Sequence, residues 1–323
     1  MTDRRPGLQG RLAMAIVAAA LVAGCGKSEP PPAPPAAATS TPESPVQITE
    51  KWRAKHEVDY RRDWVSIAGL HPFKEGRNTA GSGPKNDIVL NSSPSIPLEV
   101  GTFILKRTAV RFEPHAGSGV TLKDQPVTSP IDLKDDAAAG SDELKIGDVR
   151  LVVHVSGETR SLRVRDSNGP LAKGFLGFSW FPIDLEYRVV GKFIPDASPN
   201  PMHVPNTLGD IDDYKTEGVV EFQLQGQTVR LRPFTTRPKR FYFVFRDGSS
   251  GHETYETARF LYADLADDGT TVLDFNQAYN PPCAFNPWTT CPIPLPENRL
   301  PVKILAGEKA YPVHVPLPGG GEK

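Results

Sequence analysis

From Trp64 onward the chain consists of short runs in which apolar and polar residues alternate, and Gly, Pro, Asn and Asp separate the runs. Alternation with a period of two predicts strands, because successive side chains of a strand point to opposite faces. Gln225-Gly226 and Asp268-Gly269 are typical hairpin turns. We expect strands at residues 88–90, 102–105, 110–112, 120–122, 149–155, 161–165, 187–194, 219–224, 228–232, 240–246, 259–264 and 271–275. The pattern predicts a mainly β chain, with a small β-sandwich followed by an antiparallel β-barrel or sandwich.

One segment before these runs has a different period. Within residues 47–62, the side chains of Trp52, His56 and Tyr60 recur every four positions and share one face of a helix. Thr49 is a residue type that caps helices, so we expect an N-terminal helix that Thr49 caps.

The first 24 residues have the three parts of a secretory signal peptide. Arg4, Arg5 and Arg11 precede an apolar run over residues 12–23. This run is too short to span a membrane, which takes about 20 apolar residues. We therefore expect residues 1–24 to direct export and to be removed.

Residues 21–25, Leu-Val-Ala-Gly-Cys, resemble the lipobox of bacterial lipoproteins. The resemblance implies that the thiol of Cys25 carries a lipid. It also implies an outer-membrane location facing the periplasm in a Gram-negative host, because Gly26 replaces the Asp that retains such proteins at the inner membrane. No second apolar span follows, so the lipid is the expected contact with the membrane.

The rest of the chain divides by composition. Residues 25–45 are rich in Pro and Ala and hold too little apolar bulk to fold, which predicts an extended tether. The predicted division is a signal peptide (1–24), the tether (25–45), a helix with a small β-sandwich (46–156), an antiparallel β domain with a Cys/Pro-rich loop (157–312) and a tail (313–323).

Charge excludes one class of partner. Without residues 1–24, which hold three Arg and one Asp, the chain has 34 basic and 37 acidic residues and a net charge of about −3. A nucleic-acid-binding surface is usually strongly basic, so no nucleic-acid partner is expected.

Residues 81–90 suggest a particular sandwich. Their Asn86-Asp87-Ile88-Val89-Leu90 stretch is similar to one in the forkhead-associated domain, and residues 122–127 resemble a later hairpin of that domain. The resemblance implies a forkhead-like sandwich. Ser82 stands where that domain has its phosphate-binding Arg, so the resemblance also implies that phosphothreonine binding is lost.

The densest polar cluster lies between residues 245 and 299. Arginines there, which offer forked donors to carboxylates and phosphates, predict a site for a small anionic ligand with tyrosine walls. The candidate ligand-binding residues are Arg246, Asp247, Tyr255, Arg259, Asp274, Asn276, Asn280 and Glu297. A structural network of ion pairs explains the same residues, and a hydrolase site remains an alternative. No Gly-x-Ser-x-Gly motif is present, and His154 and His203 stand alone in the sequence and receive no role.

Cys283 and Cys291 lie close together in a chain that we expect to be exported. An oxidising compartment favours a disulfide between them. Two free thiols, or a metal or redox site, are the alternatives. The spacing differs from that of common zinc motifs, so neither a metal nor another cofactor is expected.

Several stretches are similar to the bacterial and archaeal family known as domain of unknown function 1684. They are Ile67-Ala68-Gly69-Leu70, Asn86 to Leu90, Trp180-Phe181-Pro182, Val204-Pro205-Asn206, Arg259 to Tyr262, Asp274-Phe275-Asn276, Asn280 to Phe285, Cys291-Pro292 and Pro296 to Pro301. Glu256-Thr257-Ala258 departs from the family's Gly-Ala-Gly. The resemblance implies no particular activity.

These features together predict a membrane-anchored lipoprotein of the cell envelope. Without a catalytic motif, the sequence favours noncatalytic binding or scaffolding. The expected partners are the membrane, through the lipid, and a small anionic ligand or an envelope protein. The alternatives are a hydrolase that uses residues 246–299 and a metal or redox protein at Cys283 and Cys291.

Overall fold

Helix α1 (Pro45–Tyr60) opens the part of the chain described by the computed structural model, which covers residues 42–199 and 201–313. The signal peptide, Cys25 and nearly all of the tether lie outside these residues. Ser44 caps α1: its hydroxyl accepts a hydrogen bond from the Gln47 backbone, and the Gln47 side chain accepts one from the Ser44 backbone. The helix is therefore confirmed, and the prediction that Thr49 caps it is wrong.

In the described part of the chain, α1 and a short π-helix at Arg61–Val65 are followed by twenty strands. They are β1 (Ile67–Pro72), β2 (Gly76–Gly81), β3 (Ile88–Val89), β4 (Gly101–Lys106), β5 (Ala109–Pro114), β6 (Thr121–Leu122), β7 (Gln125–Pro126), β8 (Ile131–Leu133), β9 (Glu143–Ile146), β10 (Val149–Ser156), β11 (Thr159–Asp166), β12 (Arg188–Pro195), β13 (Pro201–Pro205), β14 (Ile211–Lys215), β15 (Gly218–Leu224), β16 (Gln227–Leu231), β17 (Phe234–Arg237), β18 (Arg240–Phe245), β19 (Arg259–Asp264) and β20 (Thr270–Asp274). Between them lie a short helix α2 (Pro170–Gly174) and 3-10 turns at Leu185–Tyr187, Phe275–Gln277, Pro282–Ala284 and Pro296–Asn298. The mainly β prediction is confirmed.

The first eleven strands form a β-sandwich. One sheet has the order β1-β11-β10-β9-β6-β7 and the other β3-β2-β4-β5-β8. Strand pairs are antiparallel except β2 with β3. The two sheets enclose an apolar core that includes Phe103, Phe112 and Leu144, all completely buried, because alternate side chains of each strand point inward.

The later strands form open sheets, rather than a closed barrel, within the described residues. One sheet has the order β16-β15-β12-β20, a second β17-β18-β19, and β13 pairs with β14. Phe241, Phe243 and Phe245 of β18 point into the core between the β16-β15-β12-β20 sheet and the β17-β18-β19 sheet. Tyr242 and Val244 of the same strand point to its other side. The three-stranded sheet is therefore buried on both faces.

The second face of that sheet is covered by α1 and by the Cys/Pro-rich loop. Tyr60, Phe285 and Tyr279 pack there among other aromatic rings. His56 of α1 lies between the rings of Trp52 and Tyr60, each 4.6 Å from its own ring centre. The expected helix face of Trp52, His56 and Tyr60 is thus a packing face.

The sandwich extends beyond its predicted end at residue 156. Strands β10 and β11 pair along their whole length, from Val149↔Asp166 to Ser156↔Thr159. Because β11 belongs to the sandwich sheet, the first part of the fold ends at Asp166. All described residues from Glu43 onward belong to one compact unit.

The described part of the chain has no helix that combines the length and the apolar character needed to cross a bilayer.

Candidate functional site

The predicted polar cluster does not form one open cleft. Asp247 and Arg259 form an ion pair of 2.8 Å, and both side chains are completely buried. Asp247 also accepts hydrogen bonds from Ser249, and Arg259 donates to the backbone oxygens of Ile304 and Ala306. The pair is internal and is out of reach of a ligand.

Asp274 and Asn276 form a second, separate group. The Asp274 carboxylate accepts hydrogen bonds from the Thr49 hydroxyl at 3.0 Å and from the Asn276 amide at 2.9 Å. Asn276 is completely buried and is also bonded to the backbone of Asp184 in both directions. Asn276 therefore joins the segment before β12 to the end of β20.

Asn280 is likewise internal. It is completely buried, its backbone N–H donates to the Glu308 carboxyl at 2.7 Å, and its side chain donates to the backbone of Lys309. Burial raises the pKa of Glu308 to about 8, although the Asn280 hydrogen bonds and the charge of Arg259 oppose this rise. Glu308 is therefore a neutral acid at pH 7.

The remaining predicted residues lie apart from one another. Glu297 is half exposed and pairs with Arg232. Arg246 bonds through its backbone to Asn298 and Leu300. Tyr255 lines a small cavity of about 150 Å³ with His252, Glu256 and Tyr311, and its hydroxyl donates to the backbone oxygen of Cys283 at 3.4 Å.

Cys283 and Cys291 are two free thiols, both completely buried, so the predicted disulfide is not formed. Each thiol is near a hydroxyl instead: Tyr255 for Cys283 and Thr289 for Cys291, both at 3.8 Å. Burial, together with neighbouring Cys291, raises the pKa of the Cys283 thiol well above its usual value. A thiol that stays protonated is a poor nucleophile and a poor metal ligand. Within the described ranges, no three His, Cys, Asp or Glu side chains are placed to hold a metal.

An open groove lies beside α1, where the β18–β19 pair meets the β12–β20 pair. It has a volume of about 320 Å³ and is lined by Ile48, Arg188, Arg240, Tyr262, Ala263, Asp264, Ala266, Thr270, Thr271, Val272, Asp274 and Gln277. Arg188 and Asp274 face each other across the β12–β20 pair. Arg240 and Asp264 do so across the β18–β19 pair. The sheet register therefore places two arginines at one depression.

Both arginines keep donors available in this groove. The Nε of Arg188 lies 3.7 Å from the Asp274 carboxylate, which is beyond hydrogen-bond distance. Thr49 and Asn276 already stabilise the charge of that carboxylate. Arg240 lies over the Tyr262 ring, 5.0 Å from its centre, and contacts Asp264 at 2.8 Å. The Asp264 side chain is 70% exposed, and ion pairs this exposed contribute only about 0–1 kcal/mol. An incoming anion can therefore replace Asp264 at little cost.

Of the residues predicted from the sequence, only Asp274 lines this groove. Arg188, Arg240 and Tyr262 were missed. In the sequence each is one polar or aromatic residue in a strand, and nothing marks its neighbour across the sheet. Only the pairing of β12 with β20 and of β18 with β19 brings them together.

The described residues define a mainly β protein in which a two-sheet sandwich is followed by a second, layered β unit. Within it, residues 173–309 match the family model described as protein of unknown function, DUF1684. The match supports the resemblance over this part of the chain, whereas the whole sandwich lies outside it. No curated protein matches.

Solved structures show partial likenesses. An uncharacterized protein of Haloarcula marismortui, solved by NMR, is 29% identical over 42% of this chain and 78% of its own, with a TM-score of 0.36. A phosphothreonine-dependent FHA domain is 16% identical over 30% of this chain and 92% of its own, with a TM-score of 0.21. Mycobacterium tuberculosis EmbR, in complex with a low-affinity phosphopeptide, is 17% identical over 37% of this chain and 30% of its own, also at 0.21. These scores are too low for the likenesses to carry an argument about function.

Proposed function

We propose that this chain is an exported lipoprotein of the cell envelope, held to the outer membrane by a lipid on Cys25, whose β body binds a small anionic ligand. The observation that supports the ligand is the groove in which Arg188 and Arg240 lie on adjacent strand pairs beside the Tyr262 ring. An envelope protein is the alternative partner.

The chemistry of the groove favours a carboxylate or a phosphate. A guanidinium group offers planar, forked N–H donors that match the oxygens of both anions. Thr270 and Thr271 line the same groove and add hydroxyls. Its volume of about 320 Å³ suits a small molecule, since ligand pockets commonly start near 300 Å³.

Titration calorimetry of the full chain, with inorganic phosphate and with succinate as separate probes, tests the ligand. We expect saturable binding of at least one probe. Arg188→Ala and Arg240→Ala should each weaken it by roughly 10- to 100-fold, because a hydrogen bond to a charged group contributes about 1.5–3 kcal/mol. Comparison of the two probes separates a phosphate ligand from a carboxylate.

Arg230→Ala is the matched control. Arg230 pairs with Glu221 across β15 and β16, as Arg240 pairs with Asp264, but it is not among the residues that line the groove. Its removal should leave binding unchanged. Absence of binding for both probes, or an equal loss in Arg230→Ala, would refute the ligand-binding proposal.

The anchor rests on residues 21–25 and on the Pro-rich stretch that follows them. Cys25→Ala in the producing cell should move the protein from the membrane fraction to the soluble periplasmic fraction, because the lipid has lost its attachment atom. Gly26→Asp keeps the thiol and should shift the protein from the outer to the inner membrane. Cys25→Ala protein that remains with the membrane would show that the anchor is assigned wrongly.

A further inference from the structure

The two halves of the fold meet along a polar seam, where β10 and β11 face the Cys/Pro-rich loop. His154 of β10 is only 7% exposed there, and both of its ring nitrogens have partners. Nδ1 lies 2.8 Å from Oδ2 of Asp136, and Nε2 lies 3.1 Å from the hydroxyl oxygen of Thr290. A carboxylate, an imidazole and a hydroxyl are thus joined in sequence.

The chemistry of the three groups determines where the protons lie. An ionised carboxylate only accepts hydrogen bonds, so Nδ1 of His154 carries the ring proton and donates it to Asp136. In the neutral ring Nε2 is then the acceptor, and the Thr290 hydroxyl donates to it. Burial lowers the pKa of His154, although the Asp136 hydrogen bond opposes this shift, and the neutral ring is therefore the form present at pH 7.

Asp136 is held ionised in this position. Burial would raise its pKa, but hydrogen bonds from His154 and the Val155 backbone and the charge of Arg163 lower it overall. Arg163 donates to the same carboxylate at 2.9 Å and is only 3% exposed. Its Nε and Nη2 have no partner among the described residues. A buried guanidinium therefore lies beside the carboxylate and stabilises its negative charge.

The geometry points to a second site, for acyl transfer, in which Thr290 is the nucleophile, His154 is the general base and Asp136 positions the ring. This is the arrangement by which serine and threonine hydroxyls are activated. The site goes beyond the proposed binding function and shares no residue with the groove. Thr290 is only partly exposed and His154 nearly buried, so the substrate class is an ester of a short carboxylic acid.

The reaction balances with water as the second reactant. The Thr290 oxygen attacks the ester carbonyl carbon while its proton passes to Nε2 of His154. The tetrahedral intermediate then breaks its bond to the alcohol oxygen, and that oxygen takes the proton from Nε2. Water attacks the acylated Thr290 in the same way, which releases the carboxylic acid and restores the hydroxyl.

Hydrolysis of p-nitrophenyl acetate by the purified full chain tests this site. We expect turnover above the buffer rate, and a loss of roughly 10²- to 10⁴-fold in Thr290→Val and in His154→Gln. Thr290→Ser keeps the hydroxyl and should keep the activity. Asp136→Asn should lower kcat and leave KM nearly unchanged, because Asp136 acts on the imidazole ring and does not touch the substrate.

His203→Gln is the matched control. His203 also pairs with an aspartate, Asp213, but both side chains are 69% exposed. Among the described residues, Asp213 alone is hydrogen-bonded to its ring. Its loss should leave the rate unchanged.

The proposal fails if the wild type does not exceed the buffer rate, if Thr290→Val retains activity, or if His203→Gln loses as much as His154→Gln. If Thr290→Val does not fold, mass spectrometry of the acid-quenched wild type decides. An acetyl group on the peptide that contains Thr290 supports the site, and its absence during turnover overturns it.

Discussion

At the scale of single residues, Arg259 shows how far the environment of a charged group can differ from what its type suggests. Arginine is almost never completely buried unless it is paired, and Arg259 is completely buried because Asp247 and two backbone oxygens surround it. Removing one member of such a pair leaves an uncompensated charge in the interior.

We therefore expect Asp247→Asn to lower the free energy of unfolding by about 3–5 kcal/mol. Because one carboxylate oxygen accepts hydrogen bonds from Ser249 and Ile304 and the other accepts one from Arg259, the amide nitrogen would face a donor in either orientation. Urea denaturation measures the change. Asp267→Asn removes the partner of Lys239 at a side chain that is 91% exposed, and should cost less than about 1 kcal/mol. Similar losses in both variants would contradict this account.

The candidate residues show how far the environment of a charged side chain can be predicted from the sequence. Charged residues at strand ends predicted one ligand site, whereas the structure places them in separate groups. Whether a carboxylate faces solvent or a buried arginine depends on residues far away, such as Ile304 and Ala306 for Arg259. The same holds for His154, whose two partners, Asp136 and Thr290, are 18 and 136 positions away.

At the scale of elements, α1 has a different capping residue from the one that the sequence predicted. Thr49 was predicted to cap the helix, whereas Ser44 does so and Thr49 ties the helix to Asp274. The helical period identified the element correctly. The predicted start was two residues too late because the helix begins at Pro45, a residue type that is tolerated in a first turn.

Two substitutions distinguish these roles. Ser44→Ala should lower the free energy of unfolding by about 0.5–2 kcal/mol through loss of the cap. Thr49→Val removes a buried hydrogen bond to a carboxylate and should cost about 1.5–3 kcal/mol. Chemical denaturation with far-ultraviolet circular dichroism measures both. If Ser44→Ala lowers the free energy of unfolding more than Thr49→Val does, the contact of Thr49 with Asp274 is less important than the cap.

The strands were predicted best where apolar residues alternate, as in β4, β10, β15 and β18. Eight of the strands were missed, namely β1, β2, β7, β8, β9, β13, β14 and β17. Among them, Gly-Arg-Asn-Thr-Ala-Gly of β2 and Ile-Asp-Asp-Tyr-Lys of β14 show no such alternation. These two are strands because of their partners: β2 lies between β3 and β4, and β14 pairs with β13. Strand formation of this kind depends on tertiary context more than on residue type.

At the scale of the whole molecule, Glu308 links stability to pH. Its folded pKa of about 8 lies above the usual value of 4.5, mainly because of burial. Between these values the unfolded state releases a proton that the folded state keeps, so stability falls as pH rises, by about 1.4 kcal/mol per pH unit.

Glu308→Gln should remove this dependence. Relative to the variant, the wild type should lose a few kcal/mol of unfolding free energy between pH 5 and pH 7.5. Urea denaturation of both proteins at the two pH values measures the difference, in which contributions from other titrating groups cancel. Parallel pH dependences would show that Glu308 is ionised in the folded protein.

The architecture could be predicted as a class but not as an arrangement. Alternating runs identified a sandwich followed by a second β unit. The boundary at residue 156 was placed too early because the tight hairpin between β10 and β11 resembles a linker. The groove joins strands β12, β18, β19 and β20. Of these, β12 pairs with β20, which is far from it in the chain.

The segment that follows β20 has a consequence for how the chain acquires its structure. Ile304 and Ala306 bind Arg259, Ile304 also binds Asp247, and Glu308 binds Asn280. Gly307, at φ +81°, lies so close to the Phe275 and Ala278 backbone oxygens that a side chain there would collide with them. Every strand is synthesised before this segment. A polypeptide emerging from a ribosome or a translocation pore therefore carries an incomplete interior, with Arg259 and Asp247 uncovered, until residues 304–308 arrive. The export that we propose, if it takes place in an unfolded state, is compatible with such a late closing step.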